Sequence, residues 1–325
     1  MNFSRLDVYD NTEHLSNQIY EFMNFFKKLK LHTSLALTRF FSKLGIGKRH
    51  YLFAYFHNNC DGKLYYAHST DGLKWEYLAD VFLKADNTTG HCFRDPFIYK
   101  GREEHICVWT ASAPHGIGFS KSKDLVHWDS PRFIPVMQSL NGCINCWAPE
   151  VIYDEGRYII FWSSTVDGKH SFVPSSDEES MWNHRIHYCT TEDFVTFTEP
   201  QFFFNPNFNV IDATLFKHKG NYHLFVKNEN SKPYEKNVRV VKGGEHVLDE
   251  FAPEDTSEPI TKKAWAEGPT CLSLPFTNIL YYDYYCAGKI GASISSNLED
   301  WMNVDDLVPF PHGVRHGNAF QISES

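Results

Sequence analysis

One unit recurs along most of this chain, and any fold must accommodate it. A polar residue enters a short apolar strand, a tight turn follows, and a second, more apolar strand returns. The copies are Arg94-Asp95-Pro96-Phe97-Ile98-Tyr99 returning through Ile106 to Thr110, and Trp147-Ala148-Pro149-Glu150-Val151-Ile152 returning through Tyr158 to Trp162. Two more are Ile211-Asp212-Ala213-Thr214-Leu215-Phe216, answered by Tyr222 to Val226, and Ala266-Glu267-Gly268-Pro269-Thr270, answered by Ile279 to Tyr282. A second signal runs between them. Ser69-Thr-Asp71-Gly-Leu73-Lys-Trp75 has relatives at Ser122 to Trp128 and Thr191 to Phe197, and a shortened one at Ser296 to Trp301. The aromatic ends at 75, 128, 197 and 301 fit a period of about fifty residues with one copy lost in the degenerate stretch after Val241.

A period near fifty with four strands per unit is the pattern of propeller blades. Four complete units leave a remainder. Tyr51 to Phe56 and Lys63 to His68 form a hairpin pattern without a motif-bearing inner strand, and Arg315-His316-Gly317-Asn318-Ala319-Phe320-Gln321-Ile322 is a strand without a blade. Joined, they make a fifth blade and remove the free edges that invite aggregation. The expected fold is therefore all-β, a five-bladed β-propeller closed by pairing of N- and C-terminal strands, with an N-terminal helical extension. Residues 1–48 form that extension and 49–325 the propeller domain.

In the extension, Leu15, Ile19, Phe22, Phe26 and Leu29 recur at helical spacing, and Leu35, Leu37, Phe40, Phe41 and Leu44 form a second short stripe. From Phe26 to Arg49 there are seven Lys or Arg and no acid. This predicts one or two helices packed outside the main domain, or a mobile arm. Arg39 interrupts the only stretch resembling a signal peptide, so no export signal is evident and the compartment stays open. No apolar run is long enough to span a bilayer.

Composition narrows the partners. The formal net charge is −9, which argues against nucleic acid. Aromatics are 16% of the chain, enough for strand cores and for stacking on sugars. The eight cysteines are scattered, and Cys143-Ile-Asn-Cys146 stands without a second pair, so unpaired thiols are expected.

The first residues of inner strands converge at one mouth of a propeller. That places Asp95, Trp147 with Glu150, Asp212, Glu267 and His316 around one pocket, and carboxylates sharing a cleft push one another's pKa values apart. Arg94 would hold its neighbour Asp95 ionised, as a base must be. Trp265, Ala266 and Pro269 would give Glu267 an apolar setting suited to an acid, with Asp212 tuning it.

At these residues the chain resembles glycoside hydrolase family 43, the five-bladed propeller glycosidases. The order Arg-Asp-Pro, Trp-Ala-Pro-Glu, Ile-Asp-Ala, Glu-Gly-Pro, Arg-His-Gly-Asn is similar to that family's order of blade motifs over residues 50 to 325. The family commonly has Asp-Pro where this chain has Asp212-Ala213. The resemblance implies an inverting hydrolase of arabinofuranoside, xyloside or galactoside side chains of oligo- or polysaccharides. Asp95 would be the general base, Asp212 the modulator and Glu267 the general acid. Trp147, Asn145, Glu150, Arg185 and His316 would bind substrate. No cofactor is required, although the family implies a structural calcium in the channel, with His316 meeting it through water. Relatives in the family are often secreted or periplasmic.

Two other readings fit parts of the pattern. Phe93-Arg94-Asp95-Pro96 is similar to a motif of retaining, fructosidase-like propellers, but the Asn-Asp-Pro such enzymes need is absent between 51 and 82. A non-catalytic carbohydrate-binding propeller would have no use for all three carboxyl groups.

Overall fold

The computed structural model describes residues 6–43, 49–58, 61–78, 81–140, 142–165, 182–261 and 265–322. After one helix, α1 (Leu6–Lys43), every long element is a strand. The strands make five antiparallel sheets. The first contains β5 (Arg94–Lys100), β6 (His105–Thr110), β7 (Ile117–Ser122) and β8 (Arg132–Ile134), in that order from the centre outward. The second is β9 (Trp147–Asp154), β10 (Arg157–Ser164), β11 (Arg185–Thr191) and β12 (Gln201–Phe204). The third has only β13 (Val210–His218), β14 (Asn221–Asn228) and β15 (Asn237–Lys242). The fourth is β16 (Ala266–Ser273), β17 (Asn278–Tyr284), β18 (Lys289–Ser295) and β19 (Met302–Asn303).

The fifth blade is built from both ends of the chain. β20 (Asn318–Ile322) pairs with β1 (His50–Tyr55) from Ala54 opposite Asn318 to His50 opposite Ile322. β1 continues to β2 (Lys63–Ser69), β3 (Glu76–Tyr77) and β4 (Leu83–Lys84). The five inner strands β5, β9, β13, β16 and β20 touch in a closed cycle. Asn318 clasps the seam, accepting from the Ile98 N–H at 2.9 Å and donating to the Ile98 carbonyl at 3.0 Å. The chain is the five-bladed propeller its period predicts.

Second strands are covered by neighbouring blades on both faces. That is why β10 and β17 are buried from end to end, or nearly so, and read as continuous apolar runs rather than alternating ones. The recurring heptads are turns that close the third strands. The Ser122 hydroxyl accepts from the Leu125 N–H, and Asp124 Oδ1 accepts from Val126 and His127. The same bonds recur at Ser69 with Asp71 and at Thr191 with Asp193, each with its fourth residue in the left-handed region. The fourth copy is not shortened. It starts one residue earlier, where the Ser295 hydroxyl accepts from Leu298, so it is a full heptad from Ser295 to Trp301.

The third blade lacks a heptad because it lacks a regular outer strand. An irregular segment covers the edge of β15 instead, through Ser257 N–H to the Val240 carbonyl and Ile260 N–H to the Val238 carbonyl, each 2.8 Å.

α1 is one continuous helix. Leu31 and Leu35 pack into the core shared by the fourth and fifth blades, beside Phe53, Val304 and Val308. Lys27 pairs with Asp300 at 2.7 Å and Arg39 donates to the Leu307 carbonyl at 2.9 Å. The docked face is thus neither of the two stripes read from the sequence: Leu35 is inward, while Phe22, Phe26, Leu29 and Leu37 face outward. No helix among the described residues is long and apolar enough to cross a membrane.

Candidate active site

Four inner strands carry the same irregularity near their start. Pairing to the second strand slips between Arg94 and Phe97, between Ile211 and Thr214 and between Glu267 and Thr270, and between Phe161 and Ser163 opposite β9. In each, one residue sits at positive φ: Asp95 at 50°, Ala148 at 44°, Asp212 at 53° and Gly268 at 55°. A bulge at this level re-aims side chains toward the channel mouth, and strained backbone of this kind concentrates at functional sites. The sequence motifs therefore contain two different positions. Asp95 and Asp212 are bulge residues themselves, whereas Glu267 and Trp147 stand one residue before the bulge.

The bulges also lock the blades together. Opposite the residue preceding each bulge, the second strand carries Thr110, Ser163, Lys227 or Asp283, and each reaches the next blade. The Thr110 hydroxyl accepts from the Ala148 N–H at 2.8 Å and the Ser163 hydroxyl from the Asp212 N–H at 3.0 Å. Lys227 bonds Glu267 at 3.0 Å, and Asp283 accepts from the His316 N–H at 3.1 Å. Sequence reasoning missed this ring of second-strand residues. Its signal was there: a polar residue directly after the buried apolar run of β6, β10 and β14, and, in β17, Asp283 between buried Tyr282 and Tyr284.

These elements enclose a cavity of about 180 Å³ lined by Asp95, Asp212, Glu267, His316, Trp147, Lys227 and Tyr285 among others. Asp95 accepts from the Thr110 hydroxyl at 2.7 Å, and its other oxygen lies 3.3 Å from His316 Nδ1. Burial pushes the Asp95 carboxyl up, but the His316 bond and the Arg94 charge outweigh it and hold the group well below the usual carboxylate range. Asp212 is also buried. It accepts from the Gly268 N–H at 3.0 Å and lies 3.8 Å from His316 Nδ1. Burial, with the Glu267 and Asp95 charges, lifts it to about 6 despite His316 and Lys227. Burial alone would lower His316, but Asp212, Asp95 and Glu267 raise it to about 9, so near neutral pH it is a cation between two carboxyl groups. A Cβ on Gly268 would collide with the His316 ring, so this close approach requires glycine.

Glu267 does not have the apolar setting read from its sequence neighbours. Trp265 and Pro269 flank it along the chain, yet Lys227 contacts one oxygen at 3.0 Å and Arg315 the other at 3.3 Å. Arg315 is in turn held by Asp283 at 2.6 Å, and buried Lys227 by Glu229 at 2.6 Å. Neighbours in sequence alternate faces along a strand, so they say little about what a side chain meets across blades.

Trp147 is at the cavity edge, where it stacks on Trp182 at 5.5 Å and meets His184 at 5.0 Å. His316 lines the cavity too, whereas Asn145, Glu150 and Arg185 are not among its lining residues. Asn145 ties down a strand end, accepting from the Thr165 N–H and the Ser164 hydroxyl. Glu150 is buried between β9 and β13, facing Thr214 and Leu215, and burial pushes its carboxyl well up. Arg185 lies on β11, fully buried, and donates to Asn205, Asn183 and the His184 carbonyl. Trp109 is core, as are Cys107, Cys143, Cys146 and Cys189, all unpaired thiols.

The surroundings of His316 do not fit a directly held calcium. Calcium takes six or more oxygen ligands, whereas this imidazole is charged and already committed to Asp95 and Asp212. Among the described residues, only Asp154, Glu155 and His246 group closely enough to share an ion, and they lie at the opposite end of β9.

The His316 pKa has a consequence for stability. Its folded value, about 9, exceeds the unfolded value near 6.5, so its contribution is fully present below pH ~6.5 and lost as pH rises through 9. The melting temperature of the protein should fall across that window. His316→Gln should be flatter there, and parallel curves would show that the histidine is not charged in the fold.

A family described as a "Probable glycosyl hydrolase domain", related to glycoside hydrolase family 43, matches residues 48–325. An alpha-L-arabinofuranosidase of Bifidobacterium longum subsp. longum is 36% identical over 88 residues, which are 26% of this chain; the chain spans only 8% of that relative's length. Among solved structures, a thermostable family-43 glycoside hydrolase matches with a TM-score of 0.54 at 17% identity, over 69% of this chain and 78% of that one. An endo-arabinase from Bacteroides thetaiotaomicron VPI-5482 gives 0.52 at 18%, over 67% and 81%. An alpha-L-arabinofuranosidase from Lactobacillus brevis gives 0.51 at 18%, over 66% and 72%. At such identities the likeness is one of fold.

Proposed function

The chain belongs to the glycoside hydrolase 43-related family, and on that premise we propose that it hydrolyses an O-glycosidic bond with inversion, Asp95 acting as base and Glu267 as acid. The observation that carries this reading is the meeting of Asp95, Asp212 and Glu267, from three blades, in one small cavity that Glu229 also lines. Asp95 is the group kept ionised, so it activates the water. Glu267 stands on a different blade and at a different position relative to the bulge, across the sugar, and protonates the departing oxygen. Inversion places such groups ~6.5–9.5 Å apart to admit the water. Asp212, lifted to about 6 and hydrogen-bonded to the residue after Glu267, tunes the acid. In the resting site Lys227 and Arg315 occupy both Glu267 oxygens, so proton donation requires the entering sugar to open one of these contacts.

The unit seated in the cavity is small, since about 180 Å³ lies below the range usual for drug-sized ligands. The named activities of the Bifidobacterium longum and Lactobacillus brevis relatives make an arabinofuranoside the first candidate, ahead of xylosides and galactosides. Trp147 supplies an aromatic face for the ring.

Asp95→Asn tests the base. Asn keeps an acceptor for Thr110, so the fold should persist by circular dichroism while kcat/KM falls by about 10²–10⁴. Activity within tenfold of wild type would remove Asp95 from this role.

A further inference from the structure

α1 has two apolar faces, and the propeller uses one. Leu31 and Leu35 are buried, while Phe22, Phe26, Leu29 and Phe40 are 63%, 50%, 49% and 55% exposed. These four belong to one regularly spaced series in the sequence, flanked by exposed Met23 and Phe25. Leu15, Ile19, Phe22, Phe26 and Leu29 follow at alternating steps of four and three. The same steps continue through Thr33 and Ala36 to Phe40. This is the heptad spacing of a seam that packs on another helix. A helix needed only to cover the propeller would carry one apolar stripe and a polar outer face.

Charge indicates which helix completes the seam. Residues 6–21 hold Asp7, Asp10, Glu13 and Glu21 and no Lys or Arg. Residues 22–43 hold Lys27, Lys28, Lys30, Arg39 and Lys43 and no Asp or Glu. Two antiparallel copies set the acidic half of each beside the basic half of the other, whereas parallel copies set like on like.

We propose that α1 is a self-association helix, with a second copy of this chain lying antiparallel along the seam, Phe26 of one copy level with Phe22 of the other so that Glu21 lies beside Lys28. Such a contact is two-fold symmetric and closes on itself. The docked face of α1 points away from the seam, so each propeller stays outside the helix pair. The helix is about 57 Å long, ample for a continuous paired surface. An anionic bilayer suits this surface less well, since it would repel the acidic half of the helix and a chain of net charge −9.

Sedimentation equilibrium of the full chain at micromolar concentration tests this. The expected mass is twice 37.7 kDa. Phe22→Glu with Phe26→Glu should give the monomer mass with unchanged near-UV circular dichroism, because both side chains are solvent-facing. Lys28→Glu with Lys30→Glu sets acid against acid in the antiparallel pair and should weaken dimerisation several-fold. A monomeric wild type overturns the proposal, as does a phenylalanine variant that stays dimeric. Unchanged dimerisation in the lysine variant overturns the antiparallel order. Cosedimentation of a monomeric wild type with phosphatidylserine vesicles, lost in the phenylalanine variant, would assign the seam to lipid instead.

Discussion

Glu267→Gln should nearly abolish cleavage of a natural sugar–sugar bond while costing far less on an activated aryl glycoside. A sugar alkoxide leaves poorly without a proton, so the first loss should reach about 10²–10⁴-fold, whereas a phenolate departs unaided. The acidic limb of kcat/KM reports the base. His316 and Arg94, acting against the upward push of burial, hold Asp95 low, so that limb belongs below about pH 4. The alkaline limb reports the acid and should flatten in the variant. Gln keeps an acceptor for Lys227 but removes the charge facing Arg315, so a lower melting temperature should accompany the kinetic effect. Equal losses on both substrates with an unchanged alkaline limb would move the acid elsewhere. Asp212, lifted to about 6 and lining the same cavity, would be next in line.

Deleting residues 315–325 should leave an insoluble chain, or one melting at least ~10 °C lower. The deletion removes β20, exposes the edge of β1 and opens the ring at the Asn318 clasp. It also removes Arg315 from Asp283, a fully buried carboxyl. Stranding a buried charge costs about 3–5 kcal/mol, against a total stability of only about 5–15 kcal/mol for a folded domain. A soluble truncation melting cooperatively near the wild-type temperature would show that the C-terminal strand is not what closes the propeller.

The blade count and the line-up of Asp95, Asp212, Glu267 and His316 were legible because repetition is a property of order along the chain. Equivalent positions of successive blades converge whatever the loops do. The lost heptad was legible for the same reason, and the third sheet does lack its outer strand. The ionic partners of Glu267 were not legible. Lys227 and Arg315 belong to other blades and lie 40 and 48 residues away, so local composition suggested an apolar wall where two cations stand. Arg185 and Glu150 failed as cavity residues for a related reason. Their polarity marked them, but only packing decided that Arg185 meets Asn183 and Asn205, and Glu150 the next strand.

The sequence by itself determined a closed five-fold ring of antiparallel sheets and which carboxyl groups gather at its mouth, since period and strand pattern are local facts repeated. Tertiary structure alone decided which carboxyl is held ionised, which is raised and which is clamped by cations. Those outcomes depend on charges and burial across blade interfaces, where distance in space has no counterpart in distance along the chain.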